Sequence, residues 1–139
     1  MIKALKVPKA IYITEKDLIR LERVLELAGP SSESEMLEEE LLRATVVPSG
    51  EVPPDVVTMN SRVRFKDLTS DEESELTLCY PKDADLERGK ISVLAPVGAA
   101  LLGLKSGDEI EWPLPSGKTR VLKITDVVFQ PEAAGQLHL

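Results

Sequence analysis

The 139-residue chain predicts an α+β fold: a short antiparallel helical hairpin of coiled-coil type, then an antiparallel half-barrel of strands wrapped on one short helix. Three observations carry this. From Glu15 to Ala44 apolar side chains recur at spacings of 3 and 4, the helical period. Beyond Asp55 apolar and polar residues alternate, the strand period. Between the two regimes stand Pro48, Gly50, Pro53 and Pro54, which break both patterns. The expected organisation is therefore a hairpin over 1–47, a linker over 48–55 and a strand-rich domain over 56–139.

In order along the chain, Thr14 is a good N-cap, and Asp17 three residues on makes a variant of the capping box. Leu18, Leu21, Leu25 and Ala28 then form a coiled-coil seam, which Ile19, Val24 and Leu27 widen on one flank. Gly29-Pro30 ends this helix, since glycine suits a left-handed cap and proline cannot continue the ladder. Ser31–Ser34 offer caps for a second helix over roughly 33–45, with Leu37, Leu41 and Ala44 at the same spacing. Its acidic first half, Glu33, Glu35 and Glu38–Glu40, suits the positive end of the helix dipole. So short a connection predicts antiparallel packing, and fourteen residues give an arm only about 20 Å long. Candidate strands follow at Arg62–Leu68, Glu75–Tyr80, Lys90–Ala95, Glu109–Leu114 and Thr119–Phe129, with one short helix at Val97–Leu102.

Composition narrows the function. A formal charge of -7, with acidic side chains in excess on both sides of the linker, argues against generic binding to nucleic-acid phosphates. A partner protein with basic or apolar surface fits better. No apolar run reaches the roughly 20 residues a membrane span needs, and the first residues lack a signal-peptide core. The single cysteine, Cys79, excludes an internal disulfide and suits a reducing compartment, so cytoplasm is the expected location; a monomer is expected.

Few side chains can do chemistry. The one histidine, His138, is penultimate and is read as an exposed tail residue. Cys79, between Leu78 and Tyr80, reads as buried packing, and Trp112 as a core anchor. Asp108 after Gly107 is a turn residue. One cysteine and one histidine cannot assemble a metal cluster of that type, and no phosphate-gripping glycine motif occurs. At the hairpin tip Ser32, Glu33 and Glu35 stand together. Glu33 and Glu35 are two residues apart and diverge on a helix, so capping and solvation are favoured over chelation. No catalytic residue, metal or cofactor is expected.

The distinctive stretch is Ile91-Ser-Val-Leu-Ala-Pro-Val-Gly-Ala-Ala-Leu-Leu-Gly103, with Gly107-Asp108 after it. Nothing between Ile91 and Leu104 is ionisable, so it recognises by shape and apolar contact. This run resembles the C-terminal domain of the Gre transcript-cleavage factors. Pro54 to Val63 and Phe129 to Gly135 bring it nearer to the Rnk branch of that family, the regulators of nucleoside diphosphate kinase. The resemblance covers 52–139; the hairpin matches in architecture more than in residues.

The resemblance implies an FKBP-like C-terminal domain that docks on the largest subunit of RNA polymerase at the rim of the secondary channel. The docking loop carried over by motif is Leu94, Ala95 and Pro96, with Val97 and Gly98 beside it. Gre factors usually have a polar residue where Ala95 stands. They also carry an Asp-x-x-Glu pair on an arm about twice as long, so stimulated transcript cleavage is not expected here. The implied role is occupancy of the channel entrance in competition with Gre factors. A prolyl isomerase of FKBP type and a direct protein regulator of nucleoside diphosphate kinase stand as alternatives.

Overall fold

The computed structural model describes residues 11–113 and 116–136. His138 lies outside this range, as do the side chains of Pro96 and Trp112, and with them the tail and core-anchor readings of His138 and Trp112. The order of elements is β1 (Ile11–Thr14), α1 (Glu15–Ala28), α2 (Ser32–Arg43), β2 (Ala44–Val47), β3 (Arg62–Asp67), β4 (Glu73–Cys79), β5 (Lys90–Ser92), α3 (Pro96–Leu101), β6 (Glu109–Pro113) and β7 (Thr119–Phe129).

The local signals act as expected. Thr14 Oγ1 accepts the Asp17 N–H at 3.1 Å and starts α1. Gly29, at φ +70°, ends it with its N–H on the Leu25 carbonyl. Ser31 caps α2 by accepting the Ser34 N–H at 3.0 Å, and the buried Ser34 hydroxyl donates back to the Gly29 carbonyl at 2.8 Å. The tip is thus closed by two of the serines offered as caps, Ser31 in the cap itself and Ser34 through its bond back to Gly29.

β1 and β2 are an addition to the sequence reading. They pair in parallel, Ile11 opposite Ala44 through Thr14 opposite Val47, and so join the start and finish of the helical hairpin. Four residues of alternation are too few to signal a strand, and a parallel pair needs a long crossover, which the hairpin itself supplies. Ala44, expected on the helical seam, is the first residue of β2 instead.

The main sheet runs β5-β4-β3-β7-β6. An all-antiparallel half-barrel was expected, and the structure corrects it: β5 runs parallel to β4, Thr77 opposite Lys90. Residues 80–89 make this possible, because two 3₁₀ turns, Pro81–Asp83 and Leu86–Arg88, carry the chain back before it enters β5. Register shifts between β3 and β7 at Arg62/Val63 and Arg64/Phe65 are the bulges that curl the sheet.

One cluster of buried side chains joins both halves: Ile13, Leu21 and Leu37 lie with Met59, Phe65, Leu78, Leu101, Leu102 and Ile124. Leu18, Leu25 and Leu41 pack against it. The seam therefore faces the sheet and α3, on which α2 rests, rather than serving the two helices alone. Its expected flank is corrected too, since Ile19 is 68% and Leu27 78% exposed.

Candidate functional site

Ile91–Gly103 is built as a tight turn pressed onto backbone. Ser92 Oγ accepts the Leu94 N–H at 3.0 Å and the Ser92 carbonyl accepts the Ala95 N–H, which folds the chain back over β5. Pro96 then opens α3 at its first position, where a missing N–H costs nothing. Gly98 explains the close seating: a Cβ there would lie 2.0 Å from the Ser92 carbonyl oxygen. At the far end Gly103 has φ +81°, and a Cβ would fall 2.6 Å from that of Ile11 in β1.

This geometry divides the five residues singled out for docking. Val97 and Gly98 are buried and hold the turn from below. Leu94 and Ala95 are half-buried, their remaining surface being what a partner can touch. Ser32, Glu33 and Glu35 are exposed in the first turn of α2, as capping and solvation require. Cys79 is buried and its Sγ donates to the Ile91 carbonyl, while burial pushes the thiol up, away from nucleophilic use. Asp108 is the turn residue expected, accepting the Lys105 N–H at 3.0 Å.

Leu94 also ends a groove of about 1280 Å³ between α1 and the turn after β4. Ile19, Val24 and Leu27 give the apolar part of its helical wall, interleaved with charged residues such as Arg20 and Arg23, and Tyr80 and Pro81 stand opposite, followed by Lys82 and Asp83. The flank of α1 left out of the core is thus continuous with the Leu94–Ala95 turn.

Behind the groove lies a buried polar cluster that the sequence did not reveal. Asp17, 1% exposed, does not turn back to its own helix as a capping-box acid would; its Oδ2 accepts the Met59 N–H at 3.1 Å. Burial is the main cause that lifts its carboxyl from 3.8 to about 6. Next to Met59, the Thr58 hydroxyl donates to Glu132 Oε1 at 2.7 Å. Burial raises the Tyr80 phenol, with the Asp17 charge adding to it and Arg20 opposing. The only hint in the sequence was an Asp where a capping box usually has Glu, a side chain one carbon shorter.

Comparison with known proteins fits this arrangement. Residues 52–129 match the model of the GreA/GreB transcription elongation factor C-terminal region, and residues 9–47 match that of the Rnk N-terminus. The regulator of nucleoside diphosphate kinase of Escherichia coli (strain K12) is 43% identical over 131 residues, 93% of this chain and 96% of that one. The chain belongs to the Rnk branch of the GreA/GreB family. A GreA/GreB elongation factor structure from Nitrosomonas europaea is 52% identical, with a TM-score of 0.78 over 88% of this chain and all of that one. Transcription elongation factor GreA of Clostridium botulinum (strain Eklund 17B / Type B) is 41% identical over 91 residues. Those residues are 66% of this chain but 56% of that protein. These relatives are named as regulators and transcription factors, not as catalysts. Among the described residues no helix is long and apolar enough to cross a membrane, and no group of three or more metal-ligating side chains occurs.

Proposed function

We propose that this protein is a transcription regulator that binds RNA polymerase at the secondary-channel rim, through Leu94 and Ala95 on the turn held by Pro96, Val97 and Gly98. Bound there, it occupies the channel entrance and competes with Gre factors without stimulating transcript cleavage. The observation that carries the reading is the turn itself. It is fixed by Gly98 against Ser92, without an ionisable side chain, and presents Leu94 at the end of a groove with apolar side chains on both walls and charged ones among them. Such a surface is suited to holding a partner by shape. The tip supports occupancy over cleavage: Glu33 and Glu35 are solvated first-turn residues on a helix of 12 residues. The family's link to nucleoside diphosphate kinase is then control of its level through transcription.

Competition tests this. Saturating protein should displace a Gre factor from polymerase and suppress Gre-stimulated cleavage while producing none itself. Ala95→Arg should weaken polymerase binding by about tenfold or more, with the circular dichroism of the free chain unchanged. Failure to displace a Gre factor at saturation would sink the proposal.

A further inference from the structure

Two buried carboxylate oxygens in the described residues lack a hydrogen-bond partner, Asp17 Oδ1 and Glu132 Oε2, and the buried Tyr80 Oη has only the Arg20 guanidinium beside it. All three belong to the cluster behind the groove. They come from α1, from the residue after β4 and from the turn after β7, so one polar knot ties three distant stretches together. We propose that Asp17 is a protonation latch: its neutral carboxyl fastens the start of α1 against residues 58–61 and the turn at Glu132, and its ionisation loosens that wall of the groove.

The charges around Asp17 set the direction. Glu132 faces it from the C-terminal turn with like charge, and Tyr80 from the end of β4 offers a neutral phenol. The Met59 N–H, which bonds a charged carboxylate more strongly, and Lys16 and Arg20 on α1 itself act in the opposite sense, but none of them outweighs burial. A carboxylate this buried, accepting only the Met59 N–H, is a costly place for a full negative charge. The proton removes the charge and adds an O–H donor in a cluster where Glu132 Oε2 is an acceptor without a donor. Met59 N–H keeps its acceptor in either state, so the latch changes tightness rather than fold. Arg20, one turn beyond Asp17, and Tyr80 both line the groove, so a shift of α1 is felt there directly.

The latch is a property of the free chain; its effect on polymerase rests on the docking proposed above. In the intact protein, carboxyl carbon resonances followed by NMR should show Asp17 titrating near pH 6. The Met59 amide shift should follow the same midpoint. Amide exchange at Met59 and in the first turn of α1, corrected for intrinsic pH dependence, should quicken about tenfold between pH 5 and pH 7.5. Asp17→Asn should make that protection independent of pH, and Glu132→Gln, which removes the like charge, should lower the Asp17 midpoint. If Asp17→Asn does not fold, Glu132→Gln decides alone. A midpoint near 4, protection that ignores pH, or a midpoint unmoved by Glu132→Gln would each overturn the latch. Polymerase affinity that falls with the Asp17 titration in wild type and stays flat in Asp17→Asn carries the latch to docking. Absence of polymerase binding at every pH overturns the docking and leaves the titration to judge the latch.

Discussion

At Gly98 a methyl group would meet the Ser92 carbonyl, a backbone atom that cannot swing aside as a flexible side chain does. Gly98→Ala should therefore cost about 1–3 kcal/mol or more, as overpacked sites do, and be seen as a lower midpoint in urea. It should also weaken polymerase binding, because relief requires moving the Ser92–Ala95 turn. Asp17 behaves differently. Its folded pKa of about 6 exceeds the 3.8 of an ordinary aspartate, so the folded chain is the better proton binder. Its stabilising contribution is complete below pH 3.8 and fades as pH rises through about 6. The rise from 3.8 to about 6 is worth about 3 kcal/mol. Asp17→Asn should flatten this slope in urea titrations from pH 4 to 7 and be the more stable protein at pH 7. Asp17→Ala, which strands the buried Met59 N–H, should instead lose about 1–3 kcal/mol there.

Among the elements, the helices and most strands were legible because their signals are local. Thr14, Gly29 and Ser31 act within a few residues, and α1 and β7 match their expected limits. β1, β2 and the parallel course of β5 were not, since strand direction is fixed by partners far along the chain. The same holds for Asp17, whose partner Met59 lies 42 residues away and changes a capping acid into a link between elements. Ser34 closes the tip by a bond to Gly29, so Ser34→Ala should lower stability by about 1 kcal/mol in urea denaturation. Glu33→Ala and Glu35→Ala, at exposed first-turn positions, should each cost about 0.3–1 kcal/mol at low salt and leave polymerase affinity unchanged.

For the molecule as a whole, the change of period at the linker marked two regions of sequence, but Ile13, Leu21 and Leu37 share a core with Phe65, Leu101 and Ile124. Shared burial predicts shared unfolding. Far-ultraviolet circular dichroism and emission from Trp112 should follow one transition in urea. A chain shortened to residues 48–139 forfeits the helical part of that core, and its thermal midpoint should fall by about 10 °C or more. Of the candidate docking surface, the motif showed the turn and the absence of charge. The groove was hidden, because it exists only where the outer flank of α1 comes to lie beside Tyr80 and Leu94.

The pairing of β1 with β2 has a consequence for how such proteins diversify. Both ends of the helical arm are fastened side by side at its base, so residues added or removed at the tip leave the anchorage untouched. Arm length is then free to vary while the strand-rich body stays constant. Grafting extra helical turns between Ala28 and Ser32 would give an arm of chosen reach, built on an unchanged mount.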